Sequence, residues 1–280
     1  METQLANPCS TTVVKGLYVY CIVPGREETS LGPIGLENCE VYTLEVGGMS
    51  AIVHECPARP YGSDDRATVE GWVLAHDRVV NTAWARFGSI LPMSFDTIIR
   101  PMENASAREN LAKWLEEKEE AFARQLAFLE GKAEYAVEVS WDPKVIALEV
   151  VNESPNLKEL ECQIRSMPSG LAYIYRARLE KTLKEEMERR ATEYFTAFYT
   201  RIRECVNEVR LERTKRTEGD TRTLLNVSLL AEKGNYKRLG KVLDEIEKIK
   251  GIKVRFTGPW PPYSFVSTDG TAIRNESDSK

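Results

Sequence analysis

From Ser169 to Arg216 the chain contains no proline and only one glycine, Gly170. Along that stretch Leu171, Ile174/Tyr175, Leu179, Leu183, Met187, Tyr194/Phe195, Phe198/Tyr199, Ile202, Val206 and Val209 recur three or four residues apart. Apolar side chains at that interval line one face of an α-helix, and nothing interrupts the hydrogen-bond ladder. The pattern predicts a single helix of roughly 60 Å, at 1.5 Å rise per residue. That exceeds what one small domain covers, so the distal part projects, or packs on a loop or partner. Any fold for this chain must be built around such a rod.

The segments before it alternate between strand and helix. Leu17–Val23 is continuously apolar and stopped by Pro24-Gly25, as a strand buried on both faces would be. Val41–Val46 and Met49–Glu55 alternate around Gly47-Gly48, a tight-hairpin signal in which both glycines can take positive φ. Ser63-Asp64-Asp65 offers an N-cap to a helix with Val69, Trp72/Val73, His76, Val79/Val80, Ala83 and Phe87 on one stripe, ended by Gly88. Leu91, Met93 and Phe95 at period two predict a strand over Ile90–Ile99, with Pro92 at its beginning or on an edge. A second helix, from about Glu103 to Glu130, buries Leu111, Trp114/Leu115, Phe122, Leu126 and Leu129, and Gly131 suits its C-terminus.

Beyond Gly131 the cleanest strand places Tyr135, Val137, Val139 and Trp141 on one face. Asp142-Pro143 and Ser154-Pro155 each start a short helix, an N-cap followed by proline at the first helical position. After the long helix come a strand with Leu225, Val227 and Leu229, a helix over Asn235–Lys250, and a strand with Ile252, Val254 and Phe256. The expected fold class is α+β in two domains. Residues 1–131 form an N-terminal α+β domain. Residues 132–266 form a ferredoxin-like domain carrying the long helix and a Pro/Trp-rich tail, and 267–280 form a disordered polar tail.

Composition is that of a globular protein, 42% apolar and 29% charged. No apolar run approaches the ~18 residues of a membrane span, and Met1–Ser10 lacks the marks of a signal peptide, so the expectation is a cytoplasmic protein without membrane contact. A net charge of -5 argues against nucleic-acid binding by bulk electrostatics. Residues 189–216 hold eight Lys/Arg against four Glu, which fits the solvated face of a helix; an acidic partner is the alternative. The six cysteines, Cys9, Cys21, Cys39, Cys56, Cys162 and Cys205, form no C-x-x-C pair and read as buried hydrophobes or incidental thiols.

Catalytic chemistry has little to stand on. The two histidines, His54 and His76, lie in different predicted elements, and His76 sits in an apolar stripe, as a hydrogen-bonded core histidine would. No His/Cys set has metal-ligand spacing. Phosphate loops, dinucleotide fingerprints and nucleophile elbows are missing from the sequence. Asp64-Asp65 suits a helix start, and Glu116, Glu117, Glu119 and Glu120 suit a solvated face. No catalytic, cofactor-binding or metal-binding residue is therefore assigned.

The unusual segment is Gly258-Pro-Trp-Pro-Pro-Tyr-Ser-Phe-Val266. Three prolines in four residues around one Trp fix φ and remove amide donors, so the chain is stiff there and costs little entropy to order. Trp260, Pro261, Pro262, Tyr263 and Phe265 are the candidate residues. Either the tail folds back over an otherwise open core or sheet edge, or its aromatic residues anchor a partner protein; both can hold together.

That block closely resembles the C-terminal signature of the gas vesicle protein GvpL/GvpF family. Gly16-Leu-Tyr-Val-Tyr-Cys-Ile is similar to the family's opening strand. Ala75-His-Asp-Arg-Val-Val and Ile90-Leu-Pro-Met-Ser-Phe-Asp-Thr resemble its helix and its L-P-x-R-F-G-T strand. Ser169-Gly-Leu-Ala-Tyr-Ile and Asn226-Val-Ser-Leu-Leu resemble the entry to its long helix and the strand that follows. The resemblance covers roughly residues 15–266. It departs at Ser94, where a basic residue is expected, and at Asp96, where glycine is expected, so no role of that stretch is carried over. The resemblance implies a non-enzymatic accessory protein of gas vesicle formation, acting in assembly or as a minor vesicle component. It implies the hydrophobic shell protein and other accessory proteins as partners, and the gas vesicle and cytoplasm as location. The rival from another class is a cytosolic enzyme or small-ligand-binding protein, which would need a pocket with convergent polar groups.

Overall fold

The computed structural model describes residues 14–25, 28–213, 221–234 and 236–266. It is a mixed helix and sheet protein with two antiparallel sheets. Contacts divide it into two units, one comprising residues up to Gly131 together with those from Pro261 on, the other Lys132–Trp260.

The first unit is built on β1 (Lys15–Pro24). Around it stand β2 (Ser30–Gly32), β3 (Val41–Val46), β4 (Met49–Pro57), β5 (Leu91–Pro92) and β6 (Ile98–Ile99), in the order β2-β3-β4-β1-β5, with β6 also on β1. The continuous apolar run of β1 is buried from Gly16 to Val23, because α1 (Arg66–Phe87) and α2 (Ala107–Leu129) both pack on this central strand. Asp65 caps α1 by accepting from the N–H groups of Ala67 and Thr68, and Gly88 ends it at φ 77°. A capping box between Ser106 and Glu109 starts α2. In the β3–β4 hairpin Gly47 takes the positive φ, at 62°.

The expected strand over Ile90–Ile99 is instead two short pieces, β5 and β6, both on β1. Between them the chain turns through Asp96 at φ 67°. Period-two spacing from Leu91 to Phe95 could not disclose a turn made by a residue in the left-handed region.

The second unit begins with β7 (Lys132–Trp141). Helices α3 (Pro143–Glu153) and α4 (Pro155–Ser166) follow, capped by Asp142 and Ser154 with proline at the first turn, as their sequences indicate. Next come α5 (Ser169–Arg203), β8 (Glu208–Leu211), β9 (Arg222–Glu232), α6 (Tyr236–Glu247) and β10 (Ile252–Trp260). The antiparallel sheet runs β10-β7-β9-β8. Val137 pairs with Val227 and Phe256, and Tyr135 with Leu229, so the alternating apolar residues of three strands share one face.

The long helix is real but shorter than its apolar stripe suggests. It stops at Arg203, and Val209, expected on the helix, lies in β8 opposite Leu229. Val206 and Val209 continue the helical interval, yet Val209 and Leu211 also sit two apart, and pairing with β9 satisfies that second period. Only Ala172, Phe198 and Ile202 of α5 are fully buried. Arg190 pairs with Glu153 of α3 at 2.6 Å, and Arg201 pairs with Glu245 of α6. α5 packs on α3, α4, α6 and β9, and Leu171, Tyr173 and Ile174 near its start remain exposed, as does Leu148 on α3.

The tail from Pro261 groups by contact with the first unit, although it follows the second in sequence. The expected disordered segment 267–280, the end of the helix stretch at 214–216, and Cys9 lie outside the described residues.

Burial along α5 yields a contrast measurable by urea denaturation. Phe198→Ala should cost about 3–5 kcal/mol, whereas Ile174→Ala should cost less than about 0.5 kcal/mol.

Candidate functional site

β1 places two phenols in the core of the first unit. Tyr18 and Tyr20 are fully buried, with ring centroids 4.8 Å apart. The register of β1 against β4 slips between Val19 and Cys21, a bulge centred on Tyr20. Around these rings gather His54 from β4, His76 from α1, Tyr61, Phe95 and Tyr263.

The polar atoms of this nucleus form a chain of hydrogen bonds. The Asp96 N–H donates to Tyr18 Oη at 3.0 Å, and Tyr18 Oη lies 2.9 Å from His76 Nδ1. Tyr18 has one proton to give, and giving it to His76 Nδ1 leaves the imidazole proton on Nε2, which is buried without a hydrogen-bond partner among the described residues. Asp96 Oδ1 accepts from the Tyr61 N–H at 3.0 Å, and the Tyr61 hydroxyl lies 3.2 Å from His54 Nε2. Tyr20 Oη accepts from the Leu36 N–H at 3.0 Å. Asp96 is thus the hinge of the network. Its left-handed backbone is one that glycine favours and aspartate tolerates, and its carboxylate adds a bond glycine could not make.

Burial lowers both histidines to about 4, and for His76 it outweighs an opposing pull from the Met93 backbone. Both imidazoles are neutral at pH 7. Burial raises Asp77 and Asp96 above the usual carboxylate range, and hydrogen bonds from Tyr263 and the Tyr61 N–H partly offset it. Cys21 and Cys56 are buried thiols raised by burial. Among the described residues no group of three or more His, Cys, Asp and Glu is placed to hold a metal ion.

From Pro261 on, the proline-rich segment packs on the first unit, where Tyr263 meets the nucleus. Gly258 has φ 125°, and a Cβ there would lie 2.8 Å from the Glu134 carbonyl oxygen and the Tyr135 ring, so only glycine fits. The Gly258–Pro259 peptide is cis. Trp260 ends β10 opposite Glu134 and is half exposed. Pro261 and Pro262 are buried, Tyr263–Phe265 form a 3-10 turn, and Phe265 and Val266 are buried. The Tyr263 hydroxyl lies 3.5 Å from Asp77 Oδ1, and its ring centroid is 6.4 Å from His76. The candidate residues therefore separate. Pro261, Pro262 and Phe265 are inward, Tyr263 is partly covered against α1, and Trp260 faces water.

The family described as "Gas vesicle synthesis protein GvpL/GvpF" matches residues 16–267. The chain belongs to the GvpL/GvpF family. Among similar proteins, Gas vesicle protein L1 of Halobacterium salinarum is 30% identical over 96% of both chains. Gas vesicle protein L of Haloferax mediterranei is also 30% identical, over 82% of this chain and 72% of its own. The crystal structure of GvpF from an Anabaena species matches with a TM-score of 0.71 at 20% identity, covering 90% of this chain and 98% of that one. GvpF from Microcystis aeruginosa gives 0.62 at 18% identity, covering 91% and 99%. At those identities the two structures speak for the fold alone. Sequence reasoning found the GvpL/GvpF tail but missed the nucleus beneath it. Tyr18 and Tyr20 two apart in an otherwise apolar strand were its only signal.

The neutral histidines set a pH dependence. Their folded pKa values lie below the ordinary 6.5, so the unfolded chain binds more protons between pH 6.5 and about 4. Stability is full above that window and falls as pH drops through it. The urea midpoint should be level from pH 8 to 7 and fall from 6.5 toward 5, and replacing both histidines with glutamine should flatten that fall. Separately, Gly258→Ala should lower stability by more than about 1 kcal/mol in the same assay.

Proposed function

We propose that this protein is a non-enzymatic accessory factor of gas vesicle formation, present in the cytoplasm and at the vesicle, that binds the hydrophobic shell protein and other accessory proteins. The observation that carries this reading is the family match across residues 16–267, together with relatives named as gas vesicle proteins over nearly their whole length. No helix among the described residues is long and apolar enough to cross a membrane. A shell that must present an apolar surface to gas needs subunits that are aggregation hazards before assembly, and a scaffold offering matched apolar surface would shield or align them.

The second unit has surface of that kind. Leu148, at 67% exposure, and Tyr173 and Ile174, at 74% and 62%, are exposed on α3 and α5, which pack with α4 into an arm. In this reading the arm meets the shell protein, Trp260 adds an exposed aromatic contact, and Pro261, Pro262, Tyr263 and Phe265 hold the tail. The two units act as separate domains, divided near Gly131. A ferredoxin-like second domain is supported by its succession of strand, helices, two strands, helix and strand, and by the sheet order β10-β7-β9-β8.

Co-expression with shell protein, followed by affinity capture of the tagged full chain, tests the proposal. Shell protein should be retained, and the double variant Tyr173→Asp/Ile174→Asp should retain about fivefold less with unchanged thermal unfolding. Capture of none by the wild-type chain while vesicles still form would sink the proposal. Equal capture by the double variant would reject the arm as the contact.

A further inference from the structure

A cavity of about 400 Å³ in the first unit plays no part in shell binding as proposed above. It is lined by Glu37, Pro57, Arg59, Pro60, Tyr61 and Trp72. Its apolar walls are two prolines and two aromatic rings. Tyr61 and Trp72 meet edge to face, with centroids 5.2 Å apart and planes at 71°. Such a corner receives a puckered pyrrolidine against one ring's face and the other's edge, whereas a flat ligand needs parallel faces to stack between.

The corner is set before any ligand arrives. The Tyr61 hydroxyl is turned inward to His54 Nε2 and its N–H is held by Asp96, so the ring cannot swing aside. Preorganisation of this kind removes part of the ordering cost of binding. With that hydroxyl engaged, the side chains among the lining residues that carry N–H donors are Trp72 and Arg59. Both suit carbonyl acceptors, which a polyproline II chain displays in full while offering few N–H groups. Glu37 supplies the one carboxylate among the lining residues, exposed on backbone at φ 52° and ψ 28°. The loop that carries it is pinned where the Leu36 N–H meets Tyr20.

We propose that this cavity binds an extended proline-rich segment of a partner protein, a proline seated in the Tyr61/Trp72 corner and a basic residue of the segment paired with Glu37. The apolar corner selects proline, and the carboxylate selects the neighbouring charge.

Fluorescence anisotropy of a labelled ten-residue peptide, with an arginine followed by Pro-x-x-Pro, titrated with the full chain, tests this. Saturable binding is expected, weakened about tenfold when the prolines are replaced by alanine. Glu37→Gln, at an exposed position that leaves the core intact, should weaken the arginine peptide about fivefold and leave an uncharged proline peptide unaffected. Trp72→Ala should abolish binding of both. Absence of binding at about 1 mM chain, equal affinity for the alanine peptide, or indifference to Glu37→Gln would each overturn the proposal. None of these results depends on capture of shell protein.

Discussion

The buried phenol of Tyr18 is the point on which the first unit turns. It accepts the Asp96 N–H from the β5–β6 turn and faces His76 of α1, while its ring packs on Tyr20, His54, Tyr61 and Phe95. One side chain on the central strand thereby fixes a helix, a turn and the loop bearing Tyr61. In a polar nucleus of this sort each matched donor and acceptor offsets its desolvation, and His54 Nδ1 and His76 Nε2, buried without partners among the described residues, bear theirs.

The same nucleus gives the proline-rich tail its place. Tyr263 adds one more ring beside His76, and buried Pro261, Pro262 and Phe265 secure it. Stiffness matters here: a segment with φ already restricted loses little freedom on docking. The second unit follows a different logic. Its sheet is held by ordinary cross-strand pairs, and its longest helix buries Phe198 and Ile202 near its C-terminal end and packs on α3 and α4. That packing leaves Leu148, Leu171, Tyr173 and Ile174 in water.

Much of this was legible. The burial of β1 on both faces, the caps at Asp65, Asp142 and Ser154, the hairpin at Gly47 and the alternation of β7 all follow from local rules acting on neighbouring residues. The errors share one cause. Val209 satisfied two periods at once, and the choice fell to β9, a strand brought alongside only by folding. Asp96 looked like a mere departure from a family pattern until its backbone was seen in the left-handed region and its carboxylate on the Tyr61 N–H.

By itself the amino-acid order determined most of the longer helices and strands, the stiff aromatic tail and the family to which the chain belongs. These rest on periodicity, capping and torsional restriction, which act within a few residues. Tertiary structure alone decided that Tyr18, His54, Tyr61, His76 and Tyr263 converge, that the tail contacts the first unit, and that α5 ends at Arg203. Those outcomes join residues as much as 186 positions apart, as Asp77 and Tyr263 are. Desolvation and hydrogen-bond matching select such pairs only once the chain has closed on itself.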